Sequence, residues 1–351
     1  MLTNKVEKIL VKTAKKTKTL QFAMNIPTLG IDYSYSSTIP SQRFHSASVG
    51  KLMTAVLVFK AIEQGLIALD TPVHSILEEG ILDQLFIYDG QDYQKDVTVE
   101  HLLGHTSGIN DYFDSKTFDG ALFVDDVIKH PDIFWTPMDL LDYTRTKQHP
   151  IGTPGKQFLY SDTGYVLLGL IVETIYGMPF HRALEVNIFQ LVGMKDTSLC
   201  FYSDGFEPVS LAPLFINNTD VHMYRSLSCD FSGGGLATTT GDLLMFLDQL
   251  QQFRLISEES LNKMANFTHP YRQGMVYGLG MMQLRFEQFF FLLKNLPRLQ
   301  GHLGVTGVHA WYDPTSKATY VLNVGNTKDM VMSFKLLIKI LQLVHQETRK
   351  G

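Results

Sequence analysis

Cysteine is scarce in this chain of 351 residues, in which only Cys200 and Cys229 occur. Two cysteines cannot form a disulfide framework or a cysteine-rich metal site. They could pair, but two free buried thiols are the preferred interpretation. Long apolar runs are also missing, because the longest covers about residues 166–172. A membrane-spanning helix needs roughly 20 apolar residues, so no transmembrane segment is expected.

Positive charge is not in excess, since the formal net charge is −5 at pH 7. The whole molecule therefore carries no basic field of the kind that holds nucleic acid or an anionic membrane. Lysines do gather in residues 1–18, against one acid, Glu7. We interpret this segment as a solvated first helix, in preference to a segment that binds membrane or RNA. It lacks the apolar stretch of a signal peptide. The sequence as given predicts a cytoplasmic protein, and an extracytoplasmic location stays open if a signal has been removed.

Short β-like runs lie at both ends of the chain, and helical patterns lie between them. These runs are residues 20–24, 31–35, 275–286, 307–312 and 318–324. Strands at both ends with helices between them indicate a discontinuous α/β domain with an inserted, mainly helical domain. We assign residues 1–66 and 235–351 to the first domain and residues 67–234 to the second.

Two segments have apolar residues on almost every side, which is typical of buried helices. They are residues 51–64 and 166–176, and an amphipathic helix over residues 331–346 closes the chain. The apolar run at residues 289–293 is interpreted as a buried strand. The alternative is an apolar wall for the acyl chain of a substrate.

Ser48 and Lys51 form an S-x-x-K pattern at the start of the first buried helix. Their spacing puts both side chains on one helical face. A serine hydroxyl becomes a good nucleophile when a base takes its proton, and burial makes a lysine easier to neutralise. Free N–H groups at the start of a helix suit an oxyanion. Taken alone, the pattern fits an N-capping serine and a solvent-reaching lysine better.

Two further segments carry candidate chemistry. Tyr160 and Asp162 lie just before the second buried helix, where a phenol could move protons, although a lone tyrosine there is more often a packing residue. His302 lies between Gly301 and Gly304, which indicates close backbone approach on a strand. The N–H of Val305 could donate to an oxyanion, and His302 alone is equally consistent with a structural role.

In this order, the segments resemble the serine β-lactamase and penicillin-binding-protein superfamily, on its class C-like branch. Ser48–Lys51 matches S-x-x-K, Tyr160–Asp162 matches Y-x-N, and His302–Gly304 matches K-T-G or H-x-G. Secondary signatures are LDTPV, HLLGHTSGI, SGGGLATTTGDL and YGLG, at residues 69–73, 101–109, 232–243 and 277–280. The resemblance runs from about residue 40 to residue 327.

The resemblance implies a fold and a set of roles. The fold is α/β plus all-α, with an antiparallel sheet flanked by helices, built from both chain ends, and a helical insertion. Ser48 is the expected acylated nucleophile, and Lys51 and Tyr160 are expected to share its proton. The N–H groups of Ser48 and Val305 would form the oxyanion hole. His302, beside Gly304, would orient or polarise the substrate near Tyr160, and a ring pKa near neutrality could make the reaction pH-sensitive.

The implied function is a serine hydrolase that acts on an ester, a peptide amide or a β-lactam. No cofactor or metal is implied, the partner is a small-molecule or peptide substrate, and the oligomeric state is not readable. The second motif ends in Asp162 instead of asparagine, and an aspartate near Lys51 would weaken that lysine as a base. His302 replaces the usual lysine. Both departures favour an esterase or D-Ala-D-Ala carboxypeptidase-like activity over an efficient β-lactamase. The alternative is a slow or non-catalytic penicillin-binding sensor.

His101 and His105 are spaced as two metal ligands on one helix face would be. The glutamate that a zinc peptidase needs next to its first histidine is absent, and we therefore expect both histidines to be structural.

Overall fold

The protein is described by a computed structural model that covers residues 1–349. Its helices are α1 (Leu2–Ala14), α2 (Lys51–Glu63), α3 (Val99–Leu103), α4 (Phe123–Lys129), α5 (Pro137–Lys147), α6 (Asp162–Tyr176), α7 (Phe180–Leu184), α8 (Gln190–Val192), α9 (Phe231–Gly234), α10 (Thr240–Gln251), α11 (Glu258–Met264), α12 (Phe286–Phe289) and α13 (Met330–Thr348).

The strands are β1 (Gln21–Ile26), β2 (Ile31–Ser36), β3 (Phe44–His45), β4 (Ile87–Tyr88), β5 (Gln91–Asp92), β6 (Ser198–Leu199), β7 (Phe215–Ile216), β8 (Thr219–Asp220), β9 (Leu236–Thr238), β10 (His269–Arg272), β11 (Met275–Tyr277), β12 (Met282–Leu284), β13 (Leu299–Gly304), β14 (Val308–Tyr312) and β15 (Thr319–Asn323).

Strands from both ends of the chain form one antiparallel sheet in the order β10-β11-β12-β13-β14-β15-β1-β2. The two ends meet where β1 pairs with β15, with Ala23 opposite Val321. The predicted fold class is therefore confirmed. The assigned domain boundaries stay a prediction.

Hydrophobic cores cover both faces of the sheet. On one face, α2 and α6 pack with the other helices of the middle of the chain, and on the other face α1 and α13 pack side by side. Leu52 through Phe59 of α2 have at most 1% of their surface exposed. Burying one such large apolar side chain contributes about 1.5–3 kcal/mol, so burial explains why α2 is apolar on every side.

The expected strand over residues 275–286 is interrupted in the structure. It divides into β11 and β12 around Gly280, which has a φ of +81°. A Cβ at Gly280 would lie 2.2 Å from the Cβ of Ala55 in α2. The bend therefore lets the sheet and α2 approach closely, which only glycine permits.

The expected buried strand at residues 289–293 is wrong. The end of α12 and a 3₁₀ turn, Phe291–Leu293, occupy this segment. Phe290, Phe291 and Leu292 are 52%, 67% and 63% exposed. Run composition cannot distinguish a buried strand from an exposed turn, because both can be apolar.

Both cysteines are buried and free, as preferred from the sequence. Within residues 1–349, no single helix has the length and apolarity needed to cross a membrane. One bent pair, Asp162–Tyr176 with Phe180–Val192, meets those two criteria together.

Candidate active site

Ser48 lies in a tight turn that leads directly into α2. The turn is the 3₁₀ segment Ala47–Gly50, and Ala47 has a φ of +46°, which side chains other than glycine seldom adopt. Gly234 presses against it, since a Cβ there would lie 2.1 Å from the Ala47 carbonyl oxygen. Ser46 Oγ donates to the Gly234 carbonyl oxygen at 2.6 Å. These contacts hold the strained turn, and with it the Ser48 hydroxyl, in one position.

Lys51 is fully buried one turn beyond Ser48. Its Nζ donates to Ser48 Oγ at 3.4 Å, to the Gly233 carbonyl oxygen at 2.6 Å and to Asp162 Oδ1. A buried ammonium is costly unless an opposite charge and acceptors surround it. The three acceptors meet this need, and they aim the amine at the candidate nucleophile.

Tyr160 is held beside the same amine by His105. The Leu159 N–H donates to the His105 carbonyl oxygen at 2.9 Å, and the Ser161 N–H donates to His105 Nδ1 at 3.0 Å. The rings of His105 and Tyr160 lie 4.4 Å apart between centroids. Bonds on both sides of Tyr160 therefore fix its loop, and Lys51 Nζ lies 5.0 Å from the centre of the Tyr160 ring.

The Tyr160 phenol keeps its proton. Burial, followed by the charge of Asp162, raises the pKa of Tyr160 well above its ordinary value, and the Ser48 hydroxyl lowers it by a smaller amount. The hydroxyl oxygen is buried and makes no hydrogen bond of good geometry within residues 1–349. It is therefore a proton donor without a strong competing partner, next to Ser48.

Asp162 is positioned as the first residue of α6. Ser161 caps that helix by accepting from the Gly164 N–H, and the Asp162 N–H donates to Asp111 Oδ1 at 2.8 Å. Burial, followed by the charges of Asp162 and Asp114, raises the pKa of Asp111 to about 8. Burial therefore favours the protonated form of Asp111, and Asp162 Oδ1 is the oxygen that accepts from Lys51 Nζ.

One narrow pocket opens onto these groups, with about 60 Å³ of space for water-sized molecules. It is lined by Ala47, Ser48, Phe113, Asp114, Tyr160, Asp162, Asp230, Tyr271, Arg272, Met282, Leu303, Val305 and Met330. Burial, followed by the charge of Asp162, raises the pKa of Asp230 to about 7. The hydroxyl of Ser48, the phenol of Tyr160 and several carboxyl groups therefore line the same pocket.

Comparison with protein families matches residues 38–336 to the family described as Beta-lactamase. That range is most of the chain and contains every motif residue from Ser48 to Val305. The chain belongs to the Beta-lactamase family. The resemblance drawn from the motifs is thereby confirmed.

Individual proteins that are similar to this chain differ widely from it in sequence. The "Probable fimbrial assembly protein FimD, serogroup H1" of Dichelobacter nodosus is 29% identical over 60% of the chain, and a "Putative D-alanyl-D-alanine carboxypeptidase" of Escherichia coli K12 is 26% identical over 64%. The matches span 49% and 56% of those two relatives' lengths, so about half of each. The D-amino acid amidase of Ochrobactrum anthropi superposes with a TM-score of 0.81 at 22% identity, covering 99% of both chains.

The residues of the third motif, and Val305 after it, occupy different positions in the structure. Val305 lines the pocket and is 40% exposed. Gly304 packs closely on the turn Ala47–Gly50, since a Cβ at Gly304 would lie 2.8 Å from the Ala47 Cβ. Gly304 therefore gives room for the turn.

The role expected for His302 stays a prediction. The side chain is fully buried, does not line the pocket, and its Nε2 lies 3.2 Å from the Tyr277 hydroxyl. Burial, followed by the charge of Lys51, lowers the pKa of His302 to about 3. The ring is therefore neutral at pH 7. It supports Tyr277, whose ring centre lies 5.8 Å from that of Tyr160.

The paired histidines have separate hydrogen-bonding roles. His101 Nδ1 accepts from the Thr98 N–H in the capping box of α3, whereas His105 holds the Tyr160 loop. No group of three or more metal-binding side chains occurs within the described residues 1–349.

Sequence reasoning missed the carboxyl groups around Lys51 and the clamp formed by His105. Asp111 follows the HTSGI signature and Asp230 precedes the glycine-rich segment, but single aspartates carry no spacing signal. Their proximity arises only because the loops before α4 and α9 meet at the start of α6.

Proposed function

We propose that this chain is a serine hydrolase that forms an acyl-enzyme on Ser48. The observation that carries the proposal is the hydrogen bond from Lys51 Nζ to Ser48 Oγ at 3.4 Å, at the base of a pocket that Tyr160 also lines. Nucleophile, amine and phenol are the parts that acyl transfer requires within hydrogen-bonding reach.

In the proposed reaction, the reactive form has Lys51 as a neutral amine, which takes the Ser48 Oγ proton as Ser48 Oγ bonds to the substrate carbonyl carbon. The N–H groups of Ser48 and Val305 donate to the oxyanion. The bond to the leaving group breaks as the Tyr160 phenol gives its proton to that group, and Lys51 returns a proton to Tyr160. Water then cleaves the ester on Ser48, and the hydroxyl proton is restored.

Charge in the pocket favours neutral or cationic substrates. Asp114, Asp162 and Asp230 line it, whereas Arg272 is the one cation among its described lining residues. A carboxylate on the substrate, as in penicillins, would approach these acids at a cost. We therefore expect esters and amides such as aminoacyl amides to be better substrates than β-lactams.

A second candidate is a slow penicillin-binding or sensor protein. The ion pair between Lys51 and Asp162 favours it, because a neighbouring carboxylate holds a lysine as ammonium and weakens it as a base. Such a protein would be acylated on Ser48 and release the acyl group slowly.

The test is hydrolysis of a p-nitrophenyl ester, an aminoacyl p-nitroanilide and nitrocefin by wild type, Ser48→Ala and Ser75→Ala. Ser75 is an exposed serine away from the pocket and serves as the matched control. We expect Ser48→Ala to lower turnover by about a thousandfold or more, and Ser75→Ala to leave it unchanged. Turnover that survives in Ser48→Ala overturns the proposal.

Intact mass after labelling with a fluorophosphonate or a penicillin separates the two candidates. An adduct with ester turnover supports the hydrolase. An adduct that persists without turnover supports the sensor, and no adduct at Ser48 contradicts both.

A further inference from the structure

A lysine-lined groove runs between α1 and α13, on the opposite face of the sheet from α2. Its charged lining residues are Lys8, Lys12, Lys16, Lys335 and Lys339. All five side chains are exposed. This concentration stands out in a chain whose net charge is −5.

The five lysines are not neutralised by neighbouring acids. Within residues 1–349, none of their ammonium groups takes part in an ion pair or a side-chain hydrogen bond. The acids on the two helices are Glu7, in the middle of α1, and Glu347, near the end of α13. An unpaired cluster of this kind attracts an anionic partner.

An apolar projection on the same face of the sheet as the groove consists of Phe290, Phe291 and Leu292. These side chains are 52%, 67% and 63% exposed. The projection is anchored, because the neighbouring Phe289 ring packs 5.7 Å from Phe334 of α13 between centroids. Exposing three consecutive large apolar side chains is unfavourable in water, and contiguous exposure of this kind marks an interaction site.

Groove and projection belong to one layer of the molecule. Leu10 of α1, Leu337 of α13 and Leu293, which follows the projection, all pack into the same core on that face of the sheet. Val11 and Val331, at 42% and 66% exposure, add apolar surface on α1 and α13. The layer therefore presents cations and apolar side chains together.

We propose that this face, formed by α1, α13 and residues 290–292, docks on a bilayer surface rich in anionic phospholipids. Lysines near such a surface gain from its negative potential, and exposed aromatic and aliphatic side chains gain by entering the headgroup boundary. A soluble polyanion would use the lysines but leave the apolar projection in water. The combination therefore favours a membrane over a nucleic acid or free phosphate.

Docking leaves the catalytic proposal untouched, because none of these residues touches Ser48. The first residue of α13, Met330, lines the active-site pocket, so a docked molecule would hold the pocket near the membrane.

The test is co-sedimentation of the full chain with vesicles of phosphatidylcholine alone and with equal parts phosphatidylglycerol. We expect binding only to the anionic vesicles, with loss as salt rises. Lys335→Glu/Lys339→Glu should weaken binding by about tenfold or more. Phe290→Ser/Phe291→Ser/Leu292→Ser should also weaken it severalfold, because the apolar contribution is lost.

The matched control is Lys95→Glu/Lys116→Glu, which changes the net charge equally at two exposed lysines outside this face. It should change binding by less than about twofold. Thermal unfolding curves check that every variant is folded, independently of any hydrolase activity. Equal binding to both vesicle types, equal binding by all variants, or binding to soluble polyphosphate that does not respond to the apolar substitutions would each overturn the proposal.

Discussion

At the residue scale, the chemistry depends on what surrounds one buried ammonium. Lys51 has a carboxylate, a backbone carbonyl and the Ser48 hydroxyl as acceptors. The carboxylate of Asp162 stabilises this buried charge, and the Ser48 hydroxyl shares the same amine.

The first residue-scale prediction concerns Asp162→Asn. Replacing the carboxylate by an amide removes the ion-pair partner that shares the Lys51 amine with Ser48. The kcat/KM profile for a p-nitrophenyl ester should therefore rise by up to about tenfold.

Asp204→Asn is the control, because Asp204 is an exposed carboxylate outside the pocket. It should leave the profile in place. Identical kinetics of Asp162→Asn and wild type with every substrate would contradict the role assigned to this ion pair.

At the scale of elements, the turn Ala47–Gly50, which carries Ser48, is held between α9 and β13. Gly234 closes against Ala47 from one side, and Gly304 packs on the same residue from β13. A third close approach is at Gly50, where a Cβ would lie 2.8 Å from the Gly234 Cα. These three glycines, from separate segments, let three pieces of backbone meet beside Ser48.

The element-scale prediction concerns Gly234→Ala. The new Cβ would collide with backbone at 2.1 Å, and the φ of +149° is unsuited to alanine. We expect a loss of more than about 2 kcal/mol in the free energy of unfolding, measured by urea denaturation, and reduced labelling of Ser48 by a fluorophosphonate.

Gly241→Ala provides the comparison within the same region. Its Cβ would meet nothing closer than 3.8 Å, and it lies in helix α10. Its unfolding free energy should change by less than about 1 kcal/mol. A Gly234→Ala protein as stable and as reactive as Gly241→Ala would refute the close-approach argument.

At the scale of the whole molecule, charge is divided between two faces. Carboxyl groups gather at the pocket, and unpaired lysines lie on the layer of α1 and α13. The acids at the pocket are partly buried, so their protonation is coupled to folding. Asp230 keeps a proton in the folded state at a pH where the unfolded chain has released it.

The whole-molecule prediction follows from that raised pKa of about 7 for Asp230. Unfolding releases a proton between the ordinary aspartate pKa and about 7, so the contribution of Asp230 to stability is present at low pH and is lost as the pH rises through this window. Asp230→Asn removes the titration. Relative to wild type, the variant should therefore gain stability from about pH 5 to about pH 8.

Urea denaturation across that pH range measures the difference. Asp204→Asn should show a difference from wild type that does not vary with pH. A constant difference for Asp230→Asn as well would show that the folded state does not raise this pKa.

Short-range pattern was enough to predict several features. The buried helix α2 follows from its all-round apolar composition, and the meeting of both chain ends in one sheet follows from the placement of β-like runs. The order of the three motifs in the chain predicted the Beta-lactamase family. Ser48, Lys51 and Tyr160 were singled out in this way, and they lie together around one pocket.

Only the tertiary structure decided what environment each side chain has. His302 is buried outside the pocket lining and has a lowered pKa, residues 290–292 are exposed, and Asp111 and Asp230 stand near Asp162. Periodicity records which side of its own element a residue occupies, and motif spacing records local neighbours. Burial and charge at this site depend on segments more than a hundred residues apart in the chain. These segments come close to one another only when the sheet and the helices pack.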